Sequence, residues 1–223
     1  SGLGISFIFS RLRSPFTQFY PELIIDDIES ERFKEVMKKA KVVVFGPGME
    51  EDQPIYQNIM DQLMETEIPL VIDAGGLSYI DINKSPSNPN VVLTPHIGEI
   101  SKLFGVNSIE IMKDPFTYLH QLTEKGYHVI LKGTTSMIAY DKQIIFMQAK
   151  NPGLATAGTG DVLAGMIAAF ICRQVSLNAL IDAFTLHAKT ARIARKRHGQ
   201  TSMIASHLIE AIDEVMIKEE NND

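Results

Sequence analysis

The chain has 223 residues, of which 45% are apolar and 22% charged, so it is long enough to bury a core and predicts one soluble domain over residues 1–223. Its formal net charge of −6 argues against a nucleic-acid-binding surface, and the absence of an apolar run of 18 residues argues against a membrane span. Cys172 is the only cysteine. This excludes a disulfide within the chain and favours a reduced, cytoplasmic setting.

Strand-like and helix-like segments alternate along the chain, which is typical of an α/β domain with a mostly parallel sheet. We predict parallel strands at 5–9, 42–45, 70–72, 91–94 and 128–131, and helices at 29–40, 53–65, 116–125 and from near Ile100 to Phe104. After Lys132 the pattern changes, and residues 136–140 and 144–148 predict an antiparallel hairpin at an edge of the sheet. Helices at 162–173, 177–197 and 206–218 close the chain.

Small or polar residues follow most of the predicted strands. They are Gly46-Pro-Gly48, Asp73, Thr94-Pro-His96 and Lys132-Gly133. In open α/β sheets, ligands bind beyond the carboxyl ends of the strands. We therefore expect these residues to surround one site, provided that the loop from Gly158 to Asp161 faces the same edge.

The segment Asn151-Pro-Gly-Leu-Ala-Thr-Ala-Gly-Thr-Gly-Asp161 leads directly into an apolar helix. Because Gly158, Thr159 and Gly160 have no bulky side chains, their N–H groups can approach a phosphate closely, and the helix dipole adds positive charge. A carboxylate at that position is suited to accept the proton of an acceptor hydroxyl. The alternative is that Asp161 only caps its helix.

Five ordered motifs together resemble those of one family. They are Phe45-Gly-Pro-Gly48, Val71-Ile-Asp-Ala74, Leu93-Thr-Pro-His-Ile-Gly-Glu99, Ile130-Leu-Lys-Gly133 and the segment from Asn151 to Asp161. The chain resembles the ADP- or ATP-dependent NAD(P)H-hydrate dehydratases of the ribokinase-like superfamily. The resemblance implies a three-layer αβα fold, with helices on both faces of a mostly parallel sheet and an antiparallel edge hairpin.

The family repairs hydrated NADH and NADPH, NADHX and NADPHX, whose nicotinamide ring carries a hydroxyl at C6. The resemblance implies that ADP or ATP, with Mg²⁺, phosphorylates this hydroxyl of the (S)-epimer, after which phosphate is expelled. Asp161 matches the catalytic aspartate, which also contacts the substrate, and Gly48 and His96 match further substrate-binding residues. The nucleotide-binding positions are Lys132, Gly133, Thr134, Thr135, Ser136, Asn151, Ala157, Gly158, Thr159 and Gly160.

Several of these residues also have simpler interpretations. Lys132 could be a lysine in solvent, His96 an ordinary loop residue, and Gly48 part of a tight turn. Glu99 either binds Mg²⁺ through water or caps the following helix. Asp73 either caps the segment near Leu77 or supports the site from behind.

The chain departs from the family pattern in several places. The first strand of the family has no counterpart, so we expect a missing upstream segment. Gly75 stands where a second acidic residue is usual, and His187 is what remains of a longer motif.

Two other functions stay open, namely a small-molecule kinase for a hydroxyethylthiazole or pyridoxine-type substrate and an inactive nucleotide-binding relative. The resemblance also implies a homo-oligomer such as a tetramer. The sequence does not indicate whether ADP or ATP is the phosphoryl donor.

Overall fold

The computed structural model describes residues 7–9, 24–50, 52–149 and 151–220, and contacts divide the chain into two compact units, residues 1–41 and 42–223. In the first unit, β1 (Phe7–Phe9) pairs in parallel with β2 (Ile24–Asp26), and α1 (Glu31–Met37) begins after its cap Ser30. The strand predicted at 5–9 is confirmed over 7–9, and its first two residues lie outside the described residues. The single domain stays a prediction.

The second unit contains a six-stranded sheet. Its strands are β3 (Val43–Phe45), β4 (Leu70–Ile72), β5 (Val91–Leu93), β6 (His128–Leu131), β7 (Ser136–Tyr140) and β8 (Gln143–Met147). They lie side by side in chain order, β3 to β6 parallel and β7 and β8 antiparallel. The parallel sheet and its edge hairpin are confirmed.

The helices of this unit follow the prediction with two exceptions. They are α2 (Pro54–Met64), α3 (Ile97–Phe104), α4 (Ser108–Lys113), α5 (Pro115–Glu124), α6 (Thr159–Ile171), α7 (Leu177–His198), α8 (Ala205–Glu210) and α9 (Ile212–Glu220). The short α4 was not predicted. The single helix predicted at 206–218 is wrong, because α8 ends at Glu210 and α9 begins at Ile212. Between them, the Ala211 N–H donates to the Leu208 carbonyl 3.1 Å away. Apolar spacing continues through the break and conceals it.

Helices cover both faces of the sheet. On one face, inward side chains of four neighbouring strands pack against α6 and α7: Val71, Val92, Ile130 and Ile138 meet Leu163, Ile167, Leu180 and Phe184. Because side chains alternate along a strand, Leu70, Ile72 and Leu93 point to the other face, and all three are fully buried. The three-layer arrangement is confirmed, and each such side chain contributes roughly 1.5–3 kcal/mol by its burial.

No helix in the described ranges has the combination of length and hydropathy that a membrane crossing requires.

Candidate active site at the carboxyl edge of the sheet

Backbone hydrogen bonds bring the carboxyl ends of the parallel strands together. The Lys132 N–H donates to the Pro95 carbonyl at 2.7 Å, and Lys132 forms a parallel bridge with His96. Beyond β3 and β4, the Asp73 N–H donates to the Phe45 carbonyl at 3.0 Å. The residues that follow β3, β4, β5 and β6 therefore share one edge, as predicted.

Lys132 and Asp73 form an ion pair at the centre of this edge. The Lys132 Nζ lies 2.5 Å from Asp73 Oδ1 and 3.9 Å from Glu99 Oε2, and the Asp73 side chain is 1% exposed. A β-carbon built on Gly160 would lie 3.5 Å from this Nζ, so the Gly158–Asp161 loop faces the same edge. Two simpler interpretations are wrong. Lys132 is not a lysine in solvent, and the Asp73 side chain makes no helix-capping bond.

The helix α6 begins at Thr159, three residues earlier than predicted. Gly158 occupies the N-cap with φ +85° and offers no side-chain cap. Asp161 therefore lies in the exposed first turn, and the interpretation of Asp161 as the cap is wrong. The N–H groups of Thr159 and Val162 donate to Thr156 and Gly158, whereas those of Gly160 and Asp161 have no hydrogen-bond partner among the described residues. Two amides at the positive end of the dipole are thus available to an anion.

Two predicted nucleotide-binding side chains hold the loop before α6 in shape. Thr159 is 2% exposed. Its Oγ1 lies within hydrogen-bonding distance of two carbonyl oxygens, 2.6 Å from that of Leu154 and 2.9 Å from that of Thr156. The Asn151 Nδ2 donates to the Ala191 carbonyl of α7 at 2.9 Å, and its Oδ1 accepts from the Gly153 N–H. These side chains support the loop, while Gly160 faces Lys132 and Asp73.

The loop after β6 is shaped by Ser136. Its buried hydroxyl lies 3.3 Å from both the N–H and the carbonyl of Gly133. Thr134 is exposed and Thr135 half-buried. Of the five predicted nucleotide-binding residues here, Ser136 fixes the turn, Lys132 forms the ion pair with Asp73, and Gly133, Thr134 and Thr135 are accessible.

His96 and Glu99 close a reciprocal cap at the start of α3. The Glu99 N–H donates to His96 Nδ1 at 3.1 Å, and the His96 N–H donates to Glu99 Oε2 at 2.6 Å. The capping role of Glu99 is thereby confirmed. Because Nδ1 accepts a hydrogen bond, the neutral ring carries its proton on Nε2. The side chain is 58% exposed, so this N–H can donate to a ligand.

The turn after β3 packs backbone against backbone on the segment after β4. At Gly46, φ is +124° and a β-carbon would lie 1.8 Å from the Asp73 carbonyl oxygen, whereas Gly48 has open space around it. Tyr79, which the sequence reasoning missed, donates to the Glu50 carbonyl at 2.6 Å and accepts from the Gln53 N–H. Its only signal in the sequence is a tyrosine in an apolar segment, whose buried hydroxyl needs partners.

His187 supports the site from behind α6. Its ring is 4% exposed, and its Nε2 lies 3.0 Å from the Thr159 carbonyl oxygen. Burial lowers the pKa of His187 to about 4, against a smaller opposing effect of that hydrogen bond. The ring is therefore neutral at pH 7. The sequence identified His187 only as what remains of a longer family motif.

The free energy of unfolding is expected to fall by about 3 kcal/mol between pH 7 and pH 4 through His187 alone. Its pKa is about 4 in the folded chain against an ordinary 6.5, so in this range the unfolded state binds the extra proton. Stability therefore decreases as the pH falls. Urea denaturation at several pH values checks this, since His187→Gln removes this contribution. The same substitution at the exposed His120 is the control, and an unchanged slope for His187→Gln would contradict the expectation.

Lys132→Met is expected to lower the free energy of unfolding by roughly 3 kcal/mol or more, because it leaves the buried Asp73 carboxylate without its cation. Urea denaturation measures the loss, and adding Asp73→Asn should restore part of it. The control is Lys84→Met, which breaks the 3.2 Å pair with Asp81 between largely exposed side chains and should cost less than about 1 kcal/mol. Equal losses for the two lysine variants would rule out a structural role of the buried pair.

The sheet order and the helices on both faces define a ribokinase-like α/β protein. The family model described as NAD(P)H-hydrate dehydratase matches residues 2–214, and the chain belongs to this family. It is 33% identical over 193 residues to the bifunctional NAD(P)H-hydrate repair enzyme Nnr of Coxiella burnetii, covering 84% of this chain and 39% of that protein. The ADP-dependent (S)-NAD(P)H-hydrate dehydratase of Bacillus subtilis is 29% identical over 178 residues, or 78% of this chain and 63% of that protein.

Solved structures agree with this assignment. The ADP/ATP-dependent NAD(P)H-hydrate dehydratase of Bacillus subtilis, crystallised with ATP and Mg²⁺ and soaked with CoA, superposes with a TM-score of 0.81 at 26% identity, covering 98% of this chain and 82% of that one. A hydroxyethylthiazole kinase from Pyrococcus horikoshii reaches 0.64 at 17% identity, covering 93% and 86%, which shows the fold alone. The chain spans about two-fifths of the length of the first curated relatives it matches.

Proposed function

We propose that the chain dehydrates the (S)-epimers of NADHX and NADPHX to NADH and NADPH, coupled to hydrolysis of ADP or ATP. The observation that carries the proposal is the first turn of α6. There the N–H groups of Gly160 and Asp161, which have no hydrogen-bond partner among the described residues, adjoin an exposed carboxylate beside the half-buried cation of Lys132. Such a turn can bind a phosphoryl group and accept a proton within one turn of helix.

In the first step, the C6 hydroxyl oxygen attacks the terminal phosphorus of the nucleotide. The bond from that phosphorus to its leaving oxygen breaks, and the shortened nucleotide departs. Asp161 accepts the hydroxyl proton, while the amides of Gly160 and Asp161 stabilise charge on the transferring group. In the second step the electron pair of the ring nitrogen moves toward C6 as the C6–O bond breaks and phosphate leaves. Loss of a proton from C5 then restores the double bond between C5 and C6. Phosphate leaves far more readily than hydroxide.

The surrounding residues have supporting roles in this proposal. Lys132 acts mainly by holding Asp73 beneath Gly160, since two carboxylates already compensate its charge. His96 donates its Nε2–H to the substrate, and the open backbone at Gly48 lets the substrate approach. The backbone from Ala157 to Gly160, with Gly133, Thr134 and Thr135, binds the nucleotide, and Asn151, Thr159 and Ser136 keep these loops in place.

Mg²⁺ fits this site as an ion that arrives on the nucleotide. Within the described ranges no group of three or more histidine, cysteine or acidic side chains could hold a metal by itself. Mg²⁺, however, usually needs only one or two carboxylates besides the phosphates. Glu99 Oε1 takes no part in the cap of α3 and lies 3.6 Å from His96 Nε2, so Glu99 would hold the ion, directly or through water. Bound there, Mg²⁺ neutralises the phosphate charge.

The proposal includes a cytoplasmic homo-oligomer such as a tetramer. Ile209, Met216 and Ile217 of the last two helices are 54%, 43% and 56% exposed, and apolar side chains at such exposure are suited to a subunit contact. Light scattering after gel filtration measures the assembly.

The test of the activity uses the purified chain with NADHX and either ADP or ATP. Nucleotide-dependent recovery of the reduced-nicotinamide absorbance is expected, and it would also reject the inactive-relative alternative. Incubation with a hydroxyethylthiazole or a pyridoxine-type alcohol in place of NADHX is the comparison. Phosphorylation of such an alcohol without recovery of NADH would replace the dehydratase by a kinase.

A further inference from the structure

His187 lies on the buried face of α7, among residues at helical spacing that are otherwise mostly apolar. The buried residues of this face are Leu180, Ala183, Phe184, His187, Thr190, Ala191 and Ala194. The imidazole is 4% exposed, and removing a polar ring from water costs stability unless hydrogen bonds replace the lost hydration. A leucine would fill such a position at lower cost, so stability alone does not account for the histidine.

The hydrogen bonding of the ring fixes its protonation. Nε2 lies 3.0 Å from the carbonyl oxygen of Thr159, and because a carbonyl can only accept, Nε2 carries the hydrogen. Nδ1 is buried and has no hydrogen-bond partner in the part of the chain that the structure describes. The neutral ring is therefore oriented by a single polar contact, the one to Thr159.

Thr159 is held from two sides. Thr159 is the first residue of α6, and its carbonyl oxygen has two lone pairs. One can accept a hydrogen bond within the helix, and the other accepts the His187 Nε2–H. Its hydroxyl lies within hydrogen-bonding distance of the Leu154 and Thr156 carbonyls on the loop side. The next two residues are Gly160 and Asp161. Their amides, which find no hydrogen-bond partner in the described part of the chain, and the Asp161 carboxylate form the proposed phosphoryl site. The orientation of this turn thus depends on how Thr159 is held.

We propose that His187 is a positioning residue, which through its Nε2–H bond to the Thr159 carbonyl orients the first turn of α6 and with it the Gly160 amide and the Asp161 carboxylate. This inference rests on the proposed function for its catalytic consequence. The hydrogen bond itself can be tested without activity. Misplacement of a catalytic group by about 1 Å can reduce turnover roughly a hundredfold.

The test compares three variants. His187→Leu keeps the bulk and removes the donor, whereas His187→Gln keeps an N–H at about the distance of Nε2. Thr190→Val is the matched control, because the fully buried Thr190 hydroxyl bonds to the His187 carbonyl of its own helix at 2.9 Å and to no other group within the described ranges. We expect the leucine variant to lose about tenfold or more in kcat with a smaller change in KM. Glutamine should restore most of the loss, and Thr190→Val should stay within about twofold of the parent.

Amide hydrogen exchange at Thr159, Val162 and Leu163 is the readout that does not need turnover. Exchange should accelerate in His187→Leu and return toward the parent rate in His187→Gln, and ¹⁵N NMR of the imidazole should show the Nε2–H form. An unchanged kcat in the leucine variant, or a glutamine variant as slow as leucine, would overturn the proposal. If the parent chain lacks dehydratase activity, the proposed function fails. The exchange rates then decide on the positioning role, and equal rates in all variants would reject it.

Discussion

Asp161→Asn is expected to lower the rate of nucleotide-dependent NADHX dehydration by a factor of about 10² to 10⁴, the usual contribution of a general base. The amide has nearly the same shape but cannot accept the hydroxyl proton. Because Asp161 lies in the first turn of α6 rather than at its cap, the substitution removes no capping bond. The loss of the favourable carboxylate–dipole interaction costs less than about 1 kcal/mol.

Nucleotide binding separates this role from a structural one. Removing a negative charge beside the phosphate site should leave the dissociation constant of ADP unchanged or lower it. Calorimetric titration with ADP, together with the absorbance assay at saturating NADHX, measures the two effects. Asp182→Asn, an exposed aspartate on α7, is the control. Unchanged turnover in Asp161→Asn would mean that another group accepts the proton.

Gly46→Ala is expected to cost about 3–5 kcal/mol of unfolding free energy. Its φ of +124° is strained for any residue with a β-carbon, and that carbon would lie 1.8 Å from the Asp73 carbonyl oxygen and 2.6 Å from the Gly76 nitrogen. Because both neighbours are backbone atoms, one of the two turns must move, which adds a packing cost.

Gly48→Ala is the matched control, two residues further along the same turn. Its φ is +72°, but a β-carbon there meets nothing within 4 Å, so the cost should be about 1 kcal/mol from backbone strain alone. Urea denaturation of both variants gives the difference. Equal losses would show that the two turns are not in rigid backbone contact. A shift of Asp73 would also disturb Lys132, so Gly46→Ala should reduce dehydratase turnover as well.

Local pattern was sufficient for most of the regular elements. The strands at 70–72 and 128–131 were predicted to the residue, because short apolar runs between polar turns are typical of buried parallel strands. The start of α6 was misplaced because its cap is a glycine in a left-handed conformation, which leaves no side-chain signal. The six-residue α4 was missed because it is too short to show a helical period.

The sequence by itself determined the α/β class, the family resemblance and the residues at the strand ends, because these depend on local spacing and residue type. Tertiary structure alone decided that Lys132 and the buried Asp73, 59 positions apart, form an ion pair beneath Gly160. It also decided that His187 reaches the Thr159 carbonyl, 28 positions away. Such contacts join segments distant along the chain. They follow from strand order and helix packing, which the local pattern of residues does not determine.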